Sequence, residues 1–138
     1  MGDVADLENA TEHFSRAMAL TPGGHPDLPD RYAAIGLSYS DRYRRMGDTV
    51  DLERSIKYTS RALALTPDVH PDLPGRYAAL GVSYIDRYRR VGDMADLEKA
   101  IECDSRALIL TPDGHPDLPD RHAALGCRAQ IDTNEWET

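Results

Sequence analysis

The chain has 138 residues, and its 24 Asp plus Glu against 16 Lys plus Arg leave a net charge of −8, which argues against a nucleic-acid groove or an anionic membrane as principal partner. Hydrophobic residues make up 41% and are spread evenly without low-complexity runs, so the composition is that of a folded chain. No apolar run approaches the ~18 residues of a membrane span, and Met1 to Ala10 lacks the basic-then-apolar layout of a signal peptide, so a cytoplasmic protein is expected.

The stretch Leu-Thr-Pro-x-x-His-Pro-Asp-Leu-Pro occurs at Leu20 to Pro29, at Leu65 to Pro74 and at Leu110 to Pro119, a period of 45 residues. Residues 2–46 match 47–91 at 29 of 45 positions. Repetition at such a period predicts a solenoid or array, here one repeat domain over 1–138 with units 2–46, 47–91 and 92–126.

Each unit opens at Gly-Asp (Gly2-Asp3, Gly47-Asp48, Gly92-Asp93), where Gly can close a preceding helix in the left-handed conformation and Asp can cap the next. Asp6, Asp51 and Asp96, with Glu8, Glu53 and Glu98, then crowd a first turn that the helix dipole favours for acids. Leu97, Ala100, Ile101, Ala107 and Leu108 follow at the spacing of one buried face until Thr111-Pro112 stops the helix. This is helix B. In the proline loop beyond, Asp72 is placed to cap a second helix with Pro74 in its first turn. Tyr77, Leu80, Gly81, Tyr84 and Tyr88 form its core stripe, and Arg87, Arg89 and Arg90 gather in its last turn. This is helix A. No segment alternates as a strand would, so the expectation is all-α: six antiparallel helices in the order B1-A1-B2-A2-B3-A3.

Two features break the repeat. Where the first unit has Phe14, the second has Thr59 and the third Asp104, which predicts a less well packed last unit with Asp104 exposed or paired with an arginine. Residues 92–126 match 47–81 at 24 of 35 positions, yet 127–136 match 82–91 at none. Cys127 to Thr138 therefore reads as a divergent tail, spliced on, truncated or frameshifted, with a specialised cap as the alternative.

Tyr77-x-x-Leu80-Gly81-x-x-Tyr84, with Ala10-x-x-x-Phe14, Ala17 and Pro22, resembles the tetratricopeptide (TPR) repeat signature, Tyr standing for its usual Trp. The family unit is 34 residues, and the longer unit here is similar to that of kinesin light chains and of fungal tandem arrays. The resemblance implies a TPR-like α-solenoid wound as a right-handed superhelix and serving as a binding scaffold. Members that clamp acidic peptides use asparagines just before the Leu-Gly pair of helix A. Here Ala33-Ala34, Ala78-Ala79 and Ala123-Ala124 stand there, so no such clamp is expected.

No Ser/Cys–His–acid set, phosphate-binding Gly loop or convergent carboxylate pair occurs at motif spacing, so no catalytic residue, cofactor or enzyme activity is expected. His25, His70 and His115 recur in the loops, and a hydrogen bond to a helix end explains them better than a metal. Cys103 and Cys127 are expected as reduced thiols. What remains is protein–protein interaction. The expected partner surface is a concave helix A face of Ala33, Ala34, Leu37, Ala78, Ala79, Val82 and Ile85, bounded by Asp41, Arg44, Asp86 and Arg89, and able to take a helix or extended segment. The alternative is an architectural spacer from a longer array. Leu7, Phe14, Met18 and Leu125, on end helices with one neighbour each, are expected to drive self-association.

Overall fold

The computed structural model describes residues 3–137, with side chains described at Asp6 and from 8 to 132. Six α-helices account for all its regular structure among the described residues: α1 (Asp3–Leu20), α2 (Leu28–Met46), α3 (Thr49–Leu65), α4 (Leu73–Val91), α5 (Met94–Leu110) and α6 (Leu118–Glu137). They are the expected B1, A1, B2, A2, B3 and A3 in order. The chain divides into two compact units, residues 1–67 and 68–138. In the first, α2 packs against both α1 and α3; in the second, α5 packs against both α4 and α6.

The A-to-B turns form as the sequence dictates. Gly47 (φ 75°) and Gly92 (φ 85°) take the left-handed conformation and donate to the carbonyls of Tyr43 and Tyr88, closing α2 and α4. The next residues, Asp48 and Asp93, accept from the backbone N–H of Val50 and Ala95 at 2.9 Å, capping α3 and α5. A two-residue connection of this kind folds each B helix straight back along the preceding A helix.

The B-to-A loops differ from expectation. Asp27 and Asp72 occupy the N-cap positions of α2 and α4, but neither side chain makes a capping hydrogen bond. Instead the Nδ1 of His25, His70 and His115 accepts from the backbone N–H of Asp27, Asp72 and Asp117, each at 3.1 Å. The imidazole satisfies a donor at the loop-to-helix junction, which frees the carboxylate to face the arginine one turn into the helix, as in Asp72 with Arg76 at 3.8 Å. At the other end of each B helix, Thr66 and Thr111 donate their hydroxyls to the carbonyls of Ala62 and Ala107, so the side chain that precedes each proline also closes the last turn.

In the first unit Ile35, Tyr39, Leu52, Ile56 and Ala62 are buried, and the Tyr58 ring stacks on Tyr32 at 6.1 Å and on Tyr39 at 5.8 Å. In the second, Ile85, Leu97 and Ala100 form the buried centre, with Tyr84, Tyr88, Met94, Ile101 and Ile131 packed around it. The tyrosine stripe is therefore structural, though Tyr84 stays half-buried under the cations of Lys99 and Arg87.

Helix A carries a glycine at one repeat position, and its neighbours show why. A Cβ on Gly36 would clash with the Thr59 hydroxyl and meet the Thr59 nitrogen at 3.1 Å; one on Gly81 would lie 2.6 Å from the Asp104 carboxylate and 3.4 Å from Cys103 Cβ. Gly126, at the same position of α6, has nothing within 4 Å. Opposite results are expected from one substitution. Gly126→Ala should stabilise by about 0.5–1 kcal/mol through helix propensity alone. Gly81→Ala should lose about 1–2 kcal/mol net, since the added methyl has to displace the buried Asp104 carboxylate. Urea unfolding of the two variants gives the comparison.

Candidate functional site

A cavity of about 200 Å³ opens in the second unit, walled by Ala78 and Val82 of α4 and Ala124 of α6, with Ala107 and Asp104 of α5 as its floor. Small side chains make it. At each wall a residue no larger than valine faces inward, so α4 and α6 stand beside each other with a groove between them. Arg121 of α6 reaches across to donate to the Pro74 carbonyl of α4 at 3.3 Å, and its other amino group lies 3.4 Å from Asp117. Arg121, Asp117 and Asp120 line the mouth, and Arg128 completes the floor.

The floor is an ion pair. Arg128 Nε lies 2.7 Å from Asp104 Oδ2, with the two side chains 12% and 5% exposed. The N–H does not point at the oxygen, so both atoms are buried without an aligned hydrogen bond despite the short distance. Burial pushes the Asp104 carboxyl above the ordinary carboxylate range, with Arg128 and then Arg121 opposing. The neighbouring Cys103 thiol is pushed up to about 12, chiefly by burial and then by Asp104, which makes it an inert packing residue. Asp104 is thus not exposed, as one branch of the sequence reading had it, but paired, as the other had it.

A second constellation was not read from the sequence. Asp96, 3% exposed, accepts two hydrogen bonds from Arg87, from Nε at 2.9 Å and Nη2 at 2.8 Å. Its repeat counterpart Asp51 lies 3.3 Å from Arg42 Nε, and burial raises its carboxyl while Arg42 opposes. These acids are not merely dipole-complementing first-turn charges. They clamp each B helix to the A helix before it. The recurring nine-residue interval from Arg42 to Asp51 and from Arg87 to Asp96 was the available signal.

The expected surface residues divide. In the second unit Ala78 and Val82 line the cavity, Ala79 and Asp86 are half-buried and Arg89 is exposed. Ile85 is corrected: at 2% exposure it belongs to the core with Leu97, because helix A turns that position toward α5. In the first unit Ala33 and Ala34 are half-buried, Leu37 is 56% exposed, and Asp41 and Arg44 are exposed. Of the self-association set, Phe14, Met18 and Leu125 are half-buried, and the Leu7 side chain lies outside the described residues.

A larger cavity of about 820 Å³ lies between the loops around His70 and His115. Its polar groups already answer one another: both Nδ1 atoms accept from backbone N–H groups, and Arg76 and Arg121 face Asp72 and Asp117. The smaller groove, by contrast, leaves apolar walls unfilled. Comparison with protein-family models and with curated protein sequences finds no match for this chain.

Proposed function

We propose that the protein is a non-catalytic interaction scaffold of tandem TPR-like repeats, an α-solenoid that takes an apolar side chain of a protein partner in the groove of α4, α5 and α6. The groove itself carries this reading. At about 200 Å³ it is smaller than the ~300–1,000 Å³ of small-molecule and cofactor sites. It exceeds the ~150 Å³ that holds a benzene ring in a dry cavity, so one aliphatic or aromatic side chain fits. No nucleophile and base are brought together at it among the described residues, and its aligned polar interactions, Arg121 to Pro74 and Arg121 to Asp117, are structural. A spacer role is less well supported. Where α4 presents Tyr77, Tyr84 and Ile85 to its B helix, the same positions of α6 hold His122, Ala129 and Gln130, so the repeat's apolar stripe is not kept there.

Selection of peptides from a random displayed library against the purified protein, followed by binding to Val82→Glu and Ala124→Glu, tests the reading. Peptides carrying an apolar anchor and losing at least tenfold in affinity on both variants are expected. Peptides that bind both variants as well as the parent chain would place the interaction elsewhere.

A further inference from the structure

The charges around the groove define what must flank the anchor. Three carboxylates and two guanidinium groups line it: Asp104, Asp117 and Asp120 against Arg121 and Arg128. Each arginine is committed. Arg128 lies 2.7 Å from Asp104, and Arg121 is divided between Asp117 at 3.4 Å and the Pro74 carbonyl. Asp120 is exposed at the mouth, and no arginine or lysine stands within ion-pair distance of it among the described residues. Its counterparts are Asp30 in α2 and Gly75 in α4, so the acid at this position is absent from the facing helix α4.

An apolar pocket with one unneutralised carboxylate at its rim, on a chain of net charge −8, discriminates by sign. An acidic segment would bring like charge beside Asp120 and find no uncommitted cation. A basic one gains a rim contact and the long-range attraction that speeds encounter. Resting on the groove reading above, we infer that the partner segment is basic: an apolar anchor residue seated between Val82 and Ala124, with a lysine or arginine beside it facing Asp120.

Three heptapeptides with a central leucine flanked by lysine, serine or glutamate, titrated into the full chain while the Val82 methyl signals are followed by NMR, provide the test. Binding should fall in the order lysine, serine, glutamate. About a two- to five-fold step between lysine and serine is expected for an exposed ion pair, and Asp120→Asn should abolish that step while leaving the serine peptide unchanged. If all three bind alike and Val82→Glu still eliminates them, the basic-partner inference is overturned while the groove stands. If a lysine peptide with asparagine in place of the central leucine shifts Val82 as strongly as the leucine form, the apolar anchor, and with it the groove reading, is overturned.

Discussion

Asp96→Ala is expected to destabilise the second unit by about 3–5 kcal/mol, the range for removing one partner of a buried, hydrogen-bonded ion pair. Asp96 is 3% exposed and receives two hydrogen bonds from Arg87, so alanine takes both charge-assisted bonds away from a half-buried guanidinium. Asp51→Ala in the first unit should cost less. Arg42 approaches Asp51 at 3.3 Å with a poorly aligned Nε–H, and burial already raises the Asp51 carboxyl, so less favourable interaction is there to lose. Urea unfolding of the two variants should rank them in that order. Equal losses would mean that the bidentate geometry contributes nothing beyond charge.

The second large effect concerns Asp104 and Arg128. These are two of the positions at which the last unit departs from the repeat, standing where the preceding unit has Thr59 and Ser83, and they meet each other at 2.7 Å. The pairing ties α6 to α5 through one position on each helix at which the last unit differs from the preceding one. Arg128→Ser should cost about 3 kcal/mol near neutral pH, because it strands a buried carboxylate. Asp104→Thr should cost a comparable amount by stranding Arg128, and the double substitution should recover at least about 1 kcal/mol of the summed loss through coupling.

The same cycle predicts a pH dependence. Burial holds the Asp104 carboxyl above its unfolded value, so the folded state favours its protonated form. That contribution to stability is present below the unfolded carboxylate range and is lost as pH rises through the raised folded value. Removing Arg128 takes away the leading opposing charge and raises the value further. The Arg128→Ser chain should therefore weaken steadily as pH is brought from about 4 to 7, relative to the double variant. Parallel curves for the two chains would show that Asp104 does not ionise where the geometry requires.

How much of this was legible in the sequence depended on whether the determinant was local. Helix ends were, because Gly47, Asp48, Gly92 and Asp93 act through their own backbone neighbours. The aromatic stripe was, because one helix period shows it. The loop chemistry was half legible: His70 was expected to serve a helix end and does, but the Asp72 side chain was given a capping role that the imidazole takes. The Arg87–Asp96 clamp and the burial of Ile85 were missed because both depend on the angle at which two helices meet, which residue spacing within either helix does not encode. Val82 and Ala78 were placed on the open face from spacing alone, but the cavity they line needs Ala107 and Ala124 from two further helices, and Asp120 and Arg128 become neighbours of it only through α6.

The most direct test of the groove as the binding site is a methyl-NMR map of the full chain with a library-selected peptide at saturation. Shifts and peptide-to-protein Overhauser contacts concentrated at Val82, Ala78, Ala107 and Ala124 are the predicted result. Contacts concentrated instead on Val69, Leu73 and Leu110, around the larger cavity between the His-Pro-Asp loops, with the four groove methyls unmoved, would contradict it.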